Sequence, residues 1–414
     1  MKKILVVALG MLSNGEITIA IEVLRRISKQ DAKICFVIHE KMSKAVLANG
    51  FQAVLLKSDS IEGNLTYFRE TVKTFQPDFF LCADVFTMDF SATWSGISFD
   101  ELKAFGIPIG TFDEYEWEST HFLQDFAGVP MRMKSELITK SDFLIRPCPV
   151  NRPETTENKK IINCSLLDID SELEAYKRNI ARKTEWKTHM EIKEDSKVVL
   201  IVNSPWEYVE VGRSLESVRL LEWIPKIIQQ YLSTLKIPIT VLHVGGRKWT
   251  GTEELQLDYK HFSNVPSEEY NRMIHCADLF CGTNMISVTL SRAILCGIPT
   301  VLFQNDKVID FERLEVILDR MPAWYVQMAK EVKKVMPFKV FPWGWYRFLE
   351  PVMRNNKYEE LFDIAPVFKP QKCMEVIRRS LLDEEHKKMV AGNLDEYIQQ
   401  LKQLEPSSKI LEIV

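Results

Sequence analysis

The sequence predicts an α/β protein made of two Rossmann-like, doubly wound halves facing each other across a cleft. Three observations carry this. Short apolar runs ending at a glycine or polar turn alternate with helical patterns across residues 3–111. The same alternation restarts at residue 197, after a proline-rich connection. The chain has 414 residues, more than one hydrophobic core usually serves, with the 46 % hydrophobic and 27 % charged composition of a globular protein.

In the first half, residues 3–9 form an apolar run ending at Gly10, as expected of a parallel strand buried on both faces. Ile17, Ala20, Ile21, Leu24 and Ile27 then recur at helical spacing. Strands are expected over 33–38 and 53–56, with a short helix over 43–49 closed by Gly50. A helix over 65–75 leads through Pro77-Asp78 into a strand over 79–83. A helix over 99–105 stops at Gly106 before a strand over 107–111.

Residues 131–197 read as a connection, with Pro147, Pro149 and Pro153, a polar stretch over 154–160 and a charged helix over 171–189. The second half has expected strands over 197–202, 239–244, 262–265, 278–281 and 300–303. Helices are expected over 217–235, 267–275 and 287–295, the last ended by Gly297. An aromatic segment over 338–348 precedes a mostly helical tail over 372–404. The domain boundaries expected are 1–165, 166–375 and a tail, 376–414, that returns toward the first domain.

A net charge of −4 gives no electrostatic footprint for DNA or RNA. The eight cysteines form no CxxC pair and no Cys/His cluster with zinc spacing, which suits reduced thiols in a reducing compartment. The first residues imitate a signal peptide but run into a loop and helix without a small-residue cleavage site, and no apolar run reaches the ~18 residues of a membrane span. A cytoplasmic protein is expected. The seven histidines are scattered, with His243 inside a strand and His275 at a helix end. There is no HExxH, no Walker GxxxxGK[ST] and no GxGxxG, which counts against metalloprotease, P-loop and nicotinamide chemistry.

The opening ILVVALGMLSNGEITIAIEVLRRI resembles the start of GT-B glycosyltransferases: a strand, a Gly-containing loop with a His, Asp or Glu, then a helix. Asn49-Gly50-Phe51 matches a step before their third strand. In the second half, Ala277-Asp278-Leu279, Gly282, Ala293 and Gly297-Ile298-Pro299 fall where their donor-binding segment has matching residues. Two positions depart from the pattern. Arg292 stands where the family has an acid that grips the donor, and Gln304-Asn305-Asp306 replaces a sugar clamp. The resemblance implies a GT-B-type, metal-independent glycosyltransferase with a nucleotide sugar as co-substrate and no other cofactor. Its acceptor would be a small molecule or glycan. A silent binding protein on the same scaffold, or a nucleotide-sugar epimerase or hydrolase, are the alternatives.

Glu16, in the loop Asn14-Gly15-Glu16 at the carboxyl end of the first strand, is the candidate general base, where the alternative role is to favour its helix start. Asp84 follows another strand and is the second catalytic candidate. Asn14 and the loop residues Asp113, Glu114, Glu116 and Trp117 are candidate acceptor contacts, since aromatics stack on sugars and carboxylates grip hydroxyls or amines. The alternative for that loop is a solvated acidic turn anchored by Trp117. Candidate donor contacts are Ser204, Trp206, Arg213, Gly246, Arg247, Gly282, Thr283, Asn284 and Ser287, turn residues, anion-binding helix starts and guanidinium groups at strand ends. Arg292 joins them as a cation suited to an anionic donor group, with a surface ion pair as its alternative.

Overall fold

A computed structural model describes residues 1–11, 14–117, 123–126, 129–132, 136–154, 156–204, 207–208, 220–252, 255, 257–304, 321–332 and 345–413. Two all-parallel sheets carry the fold. The first has seven strands in the order β3-β2-β1-β4-β5-β8-β9. These are β1 Lys2–Ala8, β2 Ala32–His39, β3 Gln52–Leu56, β4 Phe79–Cys82, β5 Ile109–Phe112, β8 Phe143–Cys148 and β9 Ile161–Ser165. Between β5 and β8, β6 Leu123–Phe126 and β7 Val129–Arg132 pair as an antiparallel hairpin. The second sheet has six strands in the order β12-β11-β10-β13-β14-β15. They are β10 Lys197–Val202, β11 Ile239–Val244, β12 Asp258–Phe262, β13 Leu279–Gly282, β14 Thr300–Gln304 and β15 Asp363–Pro366.

The central strands are continuous apolar runs because helices cover both faces. Ile4 to Val7 and Val198 to Leu200 are fully buried. In each sheet the strand order reverses beside the first strand, at β1/β4 and β10/β13. Such reversals open a crevice at the carboxyl ends of the strands, where doubly wound sheets bind ligands. Gly50 and Gly297 take φ +74° and +70°, the left-handed conformation that lets the helices Lys44–Ala48 and Val288–Leu295 end and turn.

Several elements differ from the sequence expectation. β8 and β9 lie inside the supposed connection, so the first sheet runs to Ser165. Phe143, Leu144 and Ile145 are buried, and the proline cluster that suggested a linker marks the exit of β8. The charged helix is two helices, Ile169–Ile180 and Lys183–His189, turning at Arg182 so that Trp186 is buried and donates to Glu269 at 2.8 Å. The strand expected at 262–265 lies at Asp258–Phe262, a half-exposed edge strand without an apolar run. β15 is four residues long and becomes recognisable only through its pairing with β14.

The two halves pack as one body. A single apolar cluster includes Ile21 and Leu24 from the first half and Leu290 and Ile294 from the second. The tail helices Pro370–Leu382 and Glu384–Lys402 follow β15, and the last turns reach back to the first sheet. There Glu405 bridges Cys164, and the Tyr397 hydroxyl donates to the Pro149 carbonyl at 3.0 Å. No helix among the described residues is long and apolar enough to cross a membrane.

Candidate active site at the two crevices

At the carboxyl end of the first sheet the chain gathers three half-buried carboxylates, Glu16, Asp84 and Glu114. Glu16 starts the helix Gly15–Leu24, and its carboxylate folds back over Gly10, whose N–H donates to it. A methyl group on Gly10 would overlap the Glu16 Oε1 and meet Thr87 Cγ2 at 2.8 Å, so any side chain there would displace the Glu16 carboxylate. Burial raises the Glu16 pKa well above the carboxylate range, and the charges of Asp84 and Glu114 raise it further.

Asp84 Oδ1 caps the helix Val85–Phe90, accepting from Phe86 N at 2.7 Å and Thr87 N at 3.0 Å. Burial lifts its pKa, against the pull of those bonds. Burial and the Asp84 charge push Glu114 up to about 8, while the Tyr115 hydroxyl hydrogen-bonds to it. Glu114 Oε1 has no hydrogen-bond partner among the described residues. A carboxyl that holds its proton near neutrality beside two others can exchange protons with a bound substrate.

The rest of the acidic loop faces inward. Asp113 is 0 % exposed, pairs with Arg146 Nε at 2.9 Å and accepts from Trp117 N at 2.9 Å. Glu116 is buried beside Arg146, and Trp117 is buried against the rings of Phe86 and Tyr115 at 4.5 and 5.2 Å. These three support the loop, while Glu114 and Tyr115 are half-buried members of the acidic cluster. Asn14 is exposed, and its carbonyl accepts from both Thr18 N and Thr18 Oγ1.

The corresponding end of the second sheet is built differently. Glu207 is 4 % exposed and accepts from Asn203 Nδ2 at 3.0 Å, Ser204 N at 2.9 Å and Thr283 Oγ1 at 2.6 Å. It ties the loop after β10 to the end of β13. Burial raises its pKa and these bonds oppose the rise. The Thr283 hydroxyl is therefore committed to Glu207, and its carbonyl accepts from Gln304 Nε2 at 2.6 Å. Asn284 Oδ1 accepts from Ile286 N at 3.1 Å, and Ser287 Oγ caps the helix Val288–Leu295 by accepting from Thr289 N at 3.2 Å. Gly282 ends β13 and is buried. Gly246 and Arg247 are exposed beyond β11. Trp206, Arg213, Asn305, Asp306 and Trp343 lie outside the described residues.

Arg292 does not point into solvent. It is 8 % exposed, with Nε and Nη2 on the two oxygens of Glu172 at 2.9 and 3.0 Å and Nη2 also 3.2 Å from Glu22 Oε1. Burial works against its charge, but Glu172 and Glu22 hold it protonated more firmly than usual. Beside it, Glu172, His275 and Cys296 bring ligand atoms within 4.8 Å of one another. This set does not fit a cation: Arg292 holds both Glu172 oxygens, and burial pushes the Cys296 thiol up to about 12. His243 and His275 are both fully buried, and burial lowers their pKa values to about 3 and about 4.

Sequence reading missed Glu207, Glu22 and Glu172, and named Gly10 only as the end of the first strand. Ser204 and Glu207 have the S-x-x-E spacing of a capping box, a signal that was available. Glu22 offered none, because its partner Arg292 is 270 residues away in the chain.

No curated protein sequence matches the chain. Among solved structures, the glycotransferase of kitacinnamycin aligns over 100 % of this chain and 97 % of its own, at 13 % identity and TM-score 0.55. UDP-GlcNAc 2-epimerase from Neisseria meningitidis, bound to UDP-GlcNAc, aligns over 97 % and 100 %, at 12 % identity and TM-score 0.54. Anabaena Alr3699/HepE, in complex with UDP and glucose, aligns over 100 % and 98 %, at 12 % identity and TM-score 0.54. These likenesses and the paired parallel sheets establish a GT-B-type fold. Residues 23–414 match one sequence family over nearly the whole length. The chain thus belongs to the family of unknown function DUF6365, with a GT-B-type architecture and a half-buried acidic cluster at the carboxyl end of its first sheet.

Proposed function

We propose that the protein is a glycosyltransferase that moves a sugar from a nucleotide-activated donor to a small-molecule or glycan acceptor, with Glu16 as general base. The observation that carries the reading is the Glu16 carboxylate, held over Gly10 at the carboxyl end of β1 with its proton affinity raised by burial, Asp84 and Glu114. In its ionised form a carboxylate with a raised pKa is the stronger base and takes a hydroxyl proton more readily as the acceptor oxygen attacks the anomeric carbon. The nucleoside diphosphate then leaves toward the second half. There the start of the helix Val288–Leu295 and the exposed Arg247 guanidinium meet its charge, so the reaction calls for no metal and no cofactor beyond the nucleotide sugar. Ser204, Gly246, Gly282 and Asn284 line this end of the second sheet in the same reading, with Trp206 and Arg213 assigned to it from the sequence alone. Fold neighbours solved with UDP and glucose or with UDP-GlcNAc support a UDP-type donor. Eight free, buried cysteines suit a reducing compartment, and we place the protein in the cytoplasm.

One observation favours a second reading, epimerisation or hydrolysis of a nucleotide sugar. Glu114 keeps its proton to about pH 8, so the cluster is able to return a proton as well as remove one. The test is calorimetric titration with UDP followed by incubation with UDP-glucose and UDP-GlcNAc, monitored by NMR. Slow release of UDP supports transfer chemistry. Conversion of the sugar without UDP release selects epimerisation. Binding without turnover leaves a catalytically silent scaffold, and no UDP binding at millimolar concentration refutes the donor assignment.

A further inference from the structure

Arg292 lies on the helix Val288–Leu295, with Glu172 on Ile169–Ile180 and Asn271 on Ser267–Cys276, all in the second half. Its Nη1 donates to Asn271 Oδ1 at 3.3 Å. Glu22, on the helix Gly15–Leu24 of the first half, is its partner from across the domain boundary. Arg25, on the turn that ends that helix, lies 2.7 Å from Glu22 Oε2 and 3.9 Å from Glu172 Oε1. The charges therefore alternate, Arg25, Glu22, Arg292, Glu172, with the last three buried. Burying such a network costs desolvation energy that its Coulomb attraction barely offsets, so stability alone is a poor reason for it. Fixing one register is the better-attested use.

The register in question joins two helices that both begin at the crevices. Gly15–Leu24 carries Glu16 in its first turn, and Glu22 follows about 9 Å further along the axis at 1.5 Å per residue. Val288–Leu295 begins at the Ser287 cap and carries Arg292 one turn in. We propose that Arg292 is a positioning residue: through Glu22 it sets the placement of the helix bearing Glu16 against the helix whose start faces the donor, and it touches neither substrate. The proposal rests on the glycosyl-transfer reading above.

The test compares Glu22→Leu, Arg292→Met, Arg292→Lys and the double variant Glu22→Leu/Arg292→Met with the parent protein, using UDP affinity and the rate of UDP release from UDP-glucose. A parent that neither binds UDP nor releases it refutes the functional reading itself. With an active parent, Glu22→Leu and Arg292→Met are each expected to lower kcat about 10²-fold, the scale of a ~1 Å misplacement. UDP affinity should stay within about twofold, and the double variant should be no slower than the worse single one, as for residues acting as a unit. Arg292→Lys, which keeps one charged contact, should recover part of the rate. Glu22→Leu leaves the Glu172–Arg292 pair in place and carries the test if Arg292→Met does not fold.

A weakened UDP affinity in Arg292→Met but not in Glu22→Leu would assign Arg292 to donor contact and overturn the proposal. So would unchanged kcat in folded Glu22→Leu. A second readout is independent of activity. Because all eight native cysteines are buried, spin labels on cysteines introduced at the exposed positions Lys73 and Thr234 report the distance between the halves. The distribution should broaden in Glu22→Leu, and an unchanged one counts against the proposal.

Discussion

The two sheets share a topology, yet their carboxyl ends hold their carboxylates differently. In the second half Glu207 accepts from Asn203, Ser204 N and Thr283. In the first half Glu114 Oε1 has no hydrogen-bond partner among the described residues, the charges of Asp84 and Glu114 raise the Glu16 pKa, and the Asp84 charge raises that of Glu114. A satisfied carboxylate is a structural tie. A crowded, under-solvated group of acids costs stability and persists where chemistry uses it. The same fold, used twice, thus supplies one half with crowded carboxyls and one with a tied carboxylate.

The contrast is most easily broken at Glu16. Glu16→Gln should keep the fold, by circular dichroism and thermal melting, and lower turnover about 10²–10⁴-fold, the range for losing a general base. Unchanged turnover would move proton abstraction to Asp84 or Glu114. Glu207→Ala tests the other half. It should cost about 2–4 kcal/mol in urea unfolding, because buried donors lose their acceptor. A loss near zero would remove the distinction between the two ends.

Smaller effects separate the halves by pH. The folded pKa of Glu114 is raised to about 8, so its contribution is fully present below the unfolded value of about 4.3 and is lost as pH rises toward 8. Glu114→Gln, neutral throughout, should gain in Tm relative to the parent between pH 5 and 8, and a constant difference would show that the burial does not matter. The smallest effect lies on the acid side. The folded pKa values of His243 and His275 are lowered to about 3 and about 4. Their contribution is present above the unfolded value of about 6.5 and declines as pH falls through that range. His243→Gln should flatten part of the acid limb of a stability–pH curve measured between pH 7 and 4.

Apolar runs and glycine stops made most of the strand and helix order legible. β1 and β10 were readable because a strand covered on both faces needs an unbroken apolar run, and the ends at Gly50 and Gly297 because left-handed backbone favours glycine. β8, β9 and β15 were not, because short strands among prolines or polar residues are defined by their neighbours rather than by composition. At the candidate site, Glu16 and Asp84 could be named from their places after β1 and β4. Asp113 and Trp117 shared a loop and a composition with Glu114, and only packing against Arg146 and Phe86 turned them inward.

What the sequence by itself determined is the alternation of elements, the doubling of the fold and the loops that hold the carboxylates, since all of these rest on local periodicity and turn chemistry. Tertiary structure alone decided which acids share one crevice, which is satisfied, and where Arg292 reaches. Its partners Glu172 and Glu22 are 120 and 270 residues away, and a charge's role depends on what surrounds it in space, which no local pattern records.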